Sequence, residues 1–134
     1  MGIYTYDRAE VAMENYIRIF KALSDATRIR ILWLLIETDS ELCICEIMDS
    51  LDLAQYNISK HAKELKRAGI LKERRSGRFV FYSIAKSGDN FKKKIFAAVE
   101  NISANLFLQD NKRLKKRLLL RVDNKVVCGV KGCK

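Results

Sequence analysis

The sequence contains no proline, one histidine, one tryptophan and only six glycines in 134 residues. Without proline nothing forbids a helix interior, so the chain reads as helices joined by short turns. A single histidine excludes metal centres that need two, and no glycine-rich phosphate loop or nucleophile–base pair is present. Both absences argue against an enzyme. The start, MGIYTYDRAE, lacks an apolar leader core, and no apolar run approaches the roughly 18 residues of a membrane span. The expectation is a cytoplasmic protein. In that compartment its four cysteines read as thiols or metal ligands in preference to structural disulfides.

What is present is positive charge, and it is sorted along the chain. The net charge is +10, yet residues 1–59 hold five basic and ten acidic groups. Residues 60–78 hold eight basic and two acidic groups, and residues 111–134 hold nine and one. A uniformly solvated surface has no reason to segregate in this way. A polyanion facing the internal cluster does explain it, and nucleic acid is the first candidate.

Hydrophobic periodicity supplies the order of elements. Val11, Met13, Tyr16, Ile17, Phe20 and Leu23 recur at helical spacing from about Glu10 to Leu23. Ser24 or Asp25 caps a second helix with Ile29, Leu32, Leu35 and Ile36 on its apolar face. A third short helix runs near Ile44–Leu51, and Asp52-Leu53-Ala54 turns into a fourth from about Gln55 to Ala68. Ile58, Ala62 and Leu65 face inward there, and Gly69 stops it. The period then changes to two. Ile70–Arg75 and Arg78–Ile84 form a hairpin about Ser76-Gly77. A long last helix begins after Asp89, with Phe91, Ile95, Val99, Ile102 and Leu106 as its apolar stripe. The fold class is mainly α with a small β-hairpin, a winged helix-turn-helix of order α-α-α-α-β-β-α. Residues 1–108 form the DNA-binding and dimerisation domain, and 109–134 form a basic tail containing cysteines. Whether the tail is a short helix, a phosphate-contacting arm or a disordered extension is left open.

The fourth helix shows Tyr56, Asn57, Lys60, Lys63 and Arg67 opposite its apolar face, with Ser59 and His61 on the flanks. Gln55 and Asn57 stand at its N-terminus, where amides reach adenine edges in the major groove. Lys60 suits guanine or phosphate, while Lys63 and Arg67 lie where the backbone runs. The hairpin offers Lys72, Arg74, Arg75 and Arg78 to an adjacent phosphate run or minor groove. The lone His61 fits packing or a phosphate contact better than a metal site. Cys43 and Cys45 mark the start of the third helix, where the helix dipole favours the thiolate that binds soft metals. Residues two apart lie on different faces of a regular helix, so one ion reaches both only if that first turn is extended or unwinds.

Phe20-Lys21-Ala22-Leu23-Ser24-Asp25-Ala26-Thr27-Arg28 followed by Ile29-Arg30-Ile31-Leu32 resembles the signature of the ArsR/SmtB metal-responsive repressors. Glu41-Leu42-Cys43-Ile44-Cys45-Glu46-Ile47 is similar to that family's metal box. Ile58-Ser59-Lys60-His61 with Leu65, Ala68-Gly69 and Ile70 resembles its recognition helix, and Arg75-Ser76-Gly77-Arg78 with Phe81-Tyr82 its wing. The resemblance covers about Ile17 to Ser87 without a gap. It departs at Ala54-Gln55-Tyr56, where members usually carry Ser-Gln-Pro, so a capping hydroxyl and a helix-starting proline are missing.

The resemblance implies a homodimer on double-stranded operator DNA with imperfect palindromic symmetry, paired through the first and last helices. It also implies release by a soft ion on Cys43 and Cys45. As(III) or Sb(III) is favoured, with Cd(II), Pb(II) or Zn(II) next. Met48 stands where arsenic-sensing members carry a third cysteine, and it reads as core packing. Cys128 and Cys133 are candidate further ligands. The family's other zinc site, built from aspartate and histidine on the last helix, has no histidine here. Thiol oxidation or persulfidation is the rival to metal binding.

Overall fold

The computed structural model describes residues 2–127, with side chains from Arg8 onward. Among the described residues, six α-helices and a three-stranded sheet follow the order α1 (Gly2–Ala22), α2 (Ala26–Thr38), β1 (Leu42–Cys43), α3 (Ile44–Leu51), α4 (Gln55–Arg67), β2 (Leu71–Ser76), β3 (Phe79–Ile84), α5 (Asn90–Glu100), a 3-10 turn (Ala104–Phe107) and α6 (Leu108–Leu118). None of the described helices is long and apolar enough to cross a membrane.

Local chemistry explains most boundaries. Asp25 caps α2 by accepting the Arg28 N–H at 3.1 Å, and Asp89 caps α5 by accepting the Phe91 N–H at 2.9 Å. Asp39 and Asp52 end α2 and α3 in the left-handed conformation, which short polar side chains tolerate best after glycine. Gly69 takes φ +76° just after α4. A Cβ there would sit 2.9 Å from Lys92 Nζ, the end of a flexible side chain that can move aside, so it is the backbone that favours glycine.

Helix α2 is the centre of the molecule. Its run Ile31, Leu32, Trp33, Leu34 and Leu35 is buried on every side, because α3, α4, α5, α6 and β3 all pack around it. The expected one-sided stripe therefore understates its burial. From α4, Ile58, Ala62 and Leu65 are fully buried, as their spacing requires.

The hairpin pairs Leu71 with Ile84 through to Ser76 with Phe79, leaving the two-residue loop Gly77-Arg78. Gly77 has φ +58°, which suits the first position of a tight hairpin turn. A third strand was not expected. In β1, Leu42 pairs with Tyr82 and Cys43 with Phe81, so the sheet order is β1-β3-β2.

The expected long last helix ends early, and the basic tail after it opens with a helix of its own. Helix α5 stops at Glu100, and Ser103 starts a 3-10 turn by accepting the Asn105 N–H. Phe107 then stacks on Trp33 with ring centres 4.5 Å apart and planes within 13°. Burying that ring bends the chain back over the core. Leu106, expected on the apolar stripe, is instead 74% exposed. Helix α6 lies against α3 and buries Asp110, Leu114 and Arg117.

Candidate DNA interface and thiol site

Helix α4 and the β2–β3 hairpin present the expected basic surface. Gln55, Tyr56, Asn57, Lys60, Lys63, Arg67, Arg75 and Arg78 are all exposed, and Ser59 is half-buried. His61 is turned inward. Its Nδ1 accepts a hydrogen bond from Arg28 Nε at 3.1 Å, beside the α2 cap Asp25 at 3.8 Å. That contact ties α4 to the start of α2, so of the two expected roles, packing and a phosphate contact, the geometry gives His61 packing. Ala54 caps α4 with no side-chain hydrogen bond, as its missing hydroxyl dictates. Tyr56, in place of the helix-starting proline, stands 74% exposed.

Within the hairpin the cations divide into two sets. Arg74 is committed to the protein: it makes two 2.8 Å bonds to Glu41 and lies 4.5 Å over the Phe81 ring. Its hydrogen bonding holds the Glu41 carboxyl below its ordinary pKa. Arg75 and Lys66 flank Glu73 at 3.4 and 3.6 Å. Glu73 also accepts from the buried Tyr82 hydroxyl at 2.8 Å. Arg78 projects from the loop, 5.4 Å over Phe79.

Cys43 and Cys45 meet one element upstream. Cys43 is both the last residue of β1 and the N-cap of α3, with extended φ −71° and ψ 152°. The sheet therefore supplies the extension that two cysteines two apart require, and no helical turn has to unwind. The Cys45 thiol points at Cys43 Sγ over 3.1 Å, and both residues are buried. Among the described residues, no group of three or more histidine, cysteine, aspartate or glutamate side chains gathers into a metal cage. Cys128 and Cys133 lie outside the described residues.

The strongest feature around the thiols was not seen in the sequence. Arginines from α6 and the segment after it clasp α3 along its length. Arg113 donates to the Ser50 carbonyl at 2.7 Å and to Asp110 at 2.9 Å. Asp110 also takes a two-bond clamp from Arg30, which reaches the Leu51 carbonyl at 2.9 Å. Arg117, with 2% of its side chain exposed, binds Asp49 at 2.8 Å. Its Nη2 lies 3.6 Å from Cys45 Sγ and donates to the Val127 carbonyl. Its Nη1 is buried with no hydrogen-bond partner among the described residues. Arg121 grips the fully buried Glu46 at 2.6 and 2.7 Å. Glu46 also accepts the Cys43 N–H at 2.9 Å. This hydrogen bonding raises the Arg121 pKa further, and nearby Cys43 and Cys45 act in the same direction. Arg113, Arg117 and Arg121 recur every four residues, the first two on one face of α6 and the third just past its end, flanked by Leu114 and Leu118. That periodicity is the signal that could have exposed them.

Behind the thiols is a small cavity of about 30 Å³, walled by Cys43, Ile44, Cys45, Met48, Gln55, Arg78, Phe79 and Val80. Met48 is 6% exposed and packs in the core, as the sequence reading has it. The cavity brings the thiol pair against the first residue of α4 and the turn of the hairpin.

Comparison with known proteins agrees with this architecture. Residues 25–73, from the α2 cap into β2, match the model of the bacterial regulatory protein arsR family. Over 66 residues the chain is 47% identical to an arsenic resistance transcriptional regulator of Pseudomonas putida, covering 49% of this chain and 51% of that protein. It thus spans about half the length of that relative. Over 93 residues it is 43% identical to an uncharacterized HTH-type transcriptional regulator of Methanocaldococcus jannaschii, covering 67% of this chain and all of the relative. The fold superposes with a TM-score of 0.60 on the homodimeric winged helix-turn-helix DNA-binding domain of a possible ArsR-family transcriptional regulator from Mycobacterium bovis. That match has 28% identity and covers 70% of this chain and 82% of the other. The matched helix-turn-helix, the wing and the full-length relative together place this chain in the ArsR family of winged helix-turn-helix transcriptional regulators.

Proposed function

We propose that the protein is a cytoplasmic homodimeric repressor that leaves its operator when As(III) or Sb(III) binds the Cys43 and Cys45 thiols. The observation that carries this reading is the buried 3.1 Å approach of the two sulfurs. A tetrahedral ion such as Zn(II), with metal–sulfur bonds of about 2.3 Å, holds its sulfurs roughly 3.8 Å apart. As(III) and Sb(III) carry a lone pair that narrows the angle between their sulfur ligands, and a short sulfur pair suits them. The name of the Pseudomonas relative points to the same element. Cd(II), Pb(II) and Zn(II) are the alternative inducers, and each requires the pair to open.

The third position on the ion falls to Cys128, to Cys133 or to an oxygen the ion brings with it. Val127, which precedes Cys128 directly, accepts from the same Arg117 nitrogen that approaches Cys45. DNA is met by Gln55, Tyr56, Asn57, Ser59, Lys60, Lys63 and Arg67 on α4 and by Arg75 and Arg78 on the wing. His61 contributes by fixing α4. The exposed apolar residues Val11, Met13, Tyr16 and Phe20 of α1 support pairing of two subunits, which puts two recognition helices on half-sites of one imperfect palindrome.

A second reading has one observation in its favour: two buried thiols at this distance also suit a reversible disulfide. One experiment separates the readings. The protein selects a duplex from a random library, and release of that duplex is followed with arsenite, antimonite, cadmium, lead, zinc or peroxide. The proposal expects release by arsenite and antimonite at the lowest concentrations, and none from Cys43→Ser or Cys45→Ser. Release by peroxide alone supports the redox reading. Normal arsenite release by both cysteine variants contradicts thiol sensing.

A further inference from the structure

The cavity behind the thiols is shared with the residues expected to read DNA. Cys43, Cys45 and Met48 supply the sulfur atoms of its lining, and Gln55, Arg78 and Phe79 line the same cavity. Gln55 is the first residue of α4, and Arg78 lies in the hairpin loop. Cys43 is itself in register with Phe81 in the sheet, two residues from Phe79. At about 30 Å³ the cavity exceeds the 10–15 Å³ or so needed to hold one water. It has room for a single small inorganic group.

Resting on the thiol-sensing reading, we infer that Gln55 and Arg78 are inducer-contact residues as well as DNA-contact residues. The bound form is a two-thiol adduct that keeps one hydroxyl. Arsenous acid, As(OH)₃, condenses with the two thiols: two As–O and two S–H bonds break, two As–S bonds form and two waters leave. Arsenic remains As(III), and the remaining As–OH occupies the cavity. That hydroxyl both donates and accepts, and the lining includes an amide and a guanidinium, which offer the complementary atoms. Inducer and operator then compete for the same two side chains. Release follows from local competition at the start of the recognition helix and the tip of the wing. No distant helix has to be distorted. The tail cysteines are not required.

The test uses the full chain labelled with ¹⁵N, without DNA, titrated with arsenite while thiol occupancy is followed by loss of reaction with a disulfide reagent. The Gln55 side-chain amide signal, identified by its absence in Gln55→Glu, and the Arg78 Nε–H signal should shift in step with occupancy. The Cys128→Ser/Cys133→Ser variant should behave in the same way. Coupling is read separately, as the ratio of DNA dissociation constants with and without arsenite, so that any change in basal affinity cancels. In wild type this ratio should reach about ten-fold or more, within the usual range for linked sites. In Gln55→Ala, which leaves room for the hydroxyl, it should fall to about three-fold or less. Lys63→Ala, which weakens DNA binding away from the cavity, should keep the wild-type ratio.

Unmoved Gln55 and Arg78 signals at full thiol occupancy overturn the inference. So does a wild-type ratio in Gln55→Ala, or loss of arsenite binding in the double tail variant. Failure of the unmodified chain to bind arsenite at all overturns the thiol-sensing reading beneath it, and this inference with it.

Discussion

Arg117, carried on α6, places its Nη2 3.6 Å from the sulfur of Cys45, at the start of α3 and 72 positions earlier in the chain. The same guanidinium holds Asp49 at 2.8 Å, with 2% and 11% of the two side chains exposed. A buried ion pair is costly to break from one side, because the remaining charge has lost its partner. Arg117→Met should therefore destabilise the fold by about 3 kcal/mol, whereas Arg117→Met/Asp49→Asn should recover part of that loss. Urea unfolding at neutral pH reads both. A single variant within about 0.5 kcal/mol of wild type would deny the pair any structural weight.

Tyr82 and Glu73 give a pH-dependent prediction. Tyr82 is 1% exposed, and burial raises its pKa above the ordinary 10.0, with the Glu73 hydrogen bond adding to the effect. The folded state therefore keeps a proton that the unfolded chain releases above pH 10. By linkage, this contribution is complete below pH 10 and declines as pH rises beyond it. Tyr82→Phe should cost about 1 kcal/mol at neutral pH, and the gap from wild type should narrow above pH 10. Thermal unfolding of both proteins between pH 7 and about pH 11 checks the sign.

Ala54 sits at the N-cap of α4 in the extended conformation that a capping serine uses, φ −70° and ψ 154°. Ala54→Ser supplies the missing acceptor for a helix N–H. The variant should gain about 1 kcal/mol, raising Tm by about 4 °C. Calorimetry measures it. A lowered Tm would mean that the α4 start does not tolerate the hydroxyl.

The exposed residues of α4 should separate into two behaviours. Lys63→Ala should weaken binding to every duplex and reduce the slope of log K against log salt by about 0.9. Asn57→Ala should cost about 1–3 kcal/mol on the selected operator and little on random DNA. Titration of labelled duplexes at several salt concentrations distinguishes them. Equal effects on both duplexes would remove Asn57 from base reading.

These predictions also mark what the sequence could reveal. Helix α3 begins and ends where its pattern places it, because Ile47 and Leu51 recur at helical spacing and Asp52 supplies the stop. Gly69 and Gly77 mark real left-handed positions. Strand β1 escaped notice since two residues carry no periodicity, yet this strand is what extends Cys43 toward Cys45. The long last helix was misread because Phe91, Ile95, Val99 and Ile102 continue the helical pattern to its break. Only the stacking of Phe107 on Trp33, a contact between residues 74 apart, redirects the chain. The sequence leaves the basic tail open between helix, arm and disordered extension, because nothing local shows that Asp49 and Glu46 await its arginines.

The central claim is that the Cys43–Cys45 pair holds As(III), and X-ray absorption at the arsenic edge of the arsenite-loaded protein tests it most directly. The account predicts at least two sulfur neighbours around arsenic, with sulfur lost in Cys43→Ser and in Cys45→Ser. A first shell made only of oxygen in the unmodified protein, or one unchanged in both variants, would contradict it.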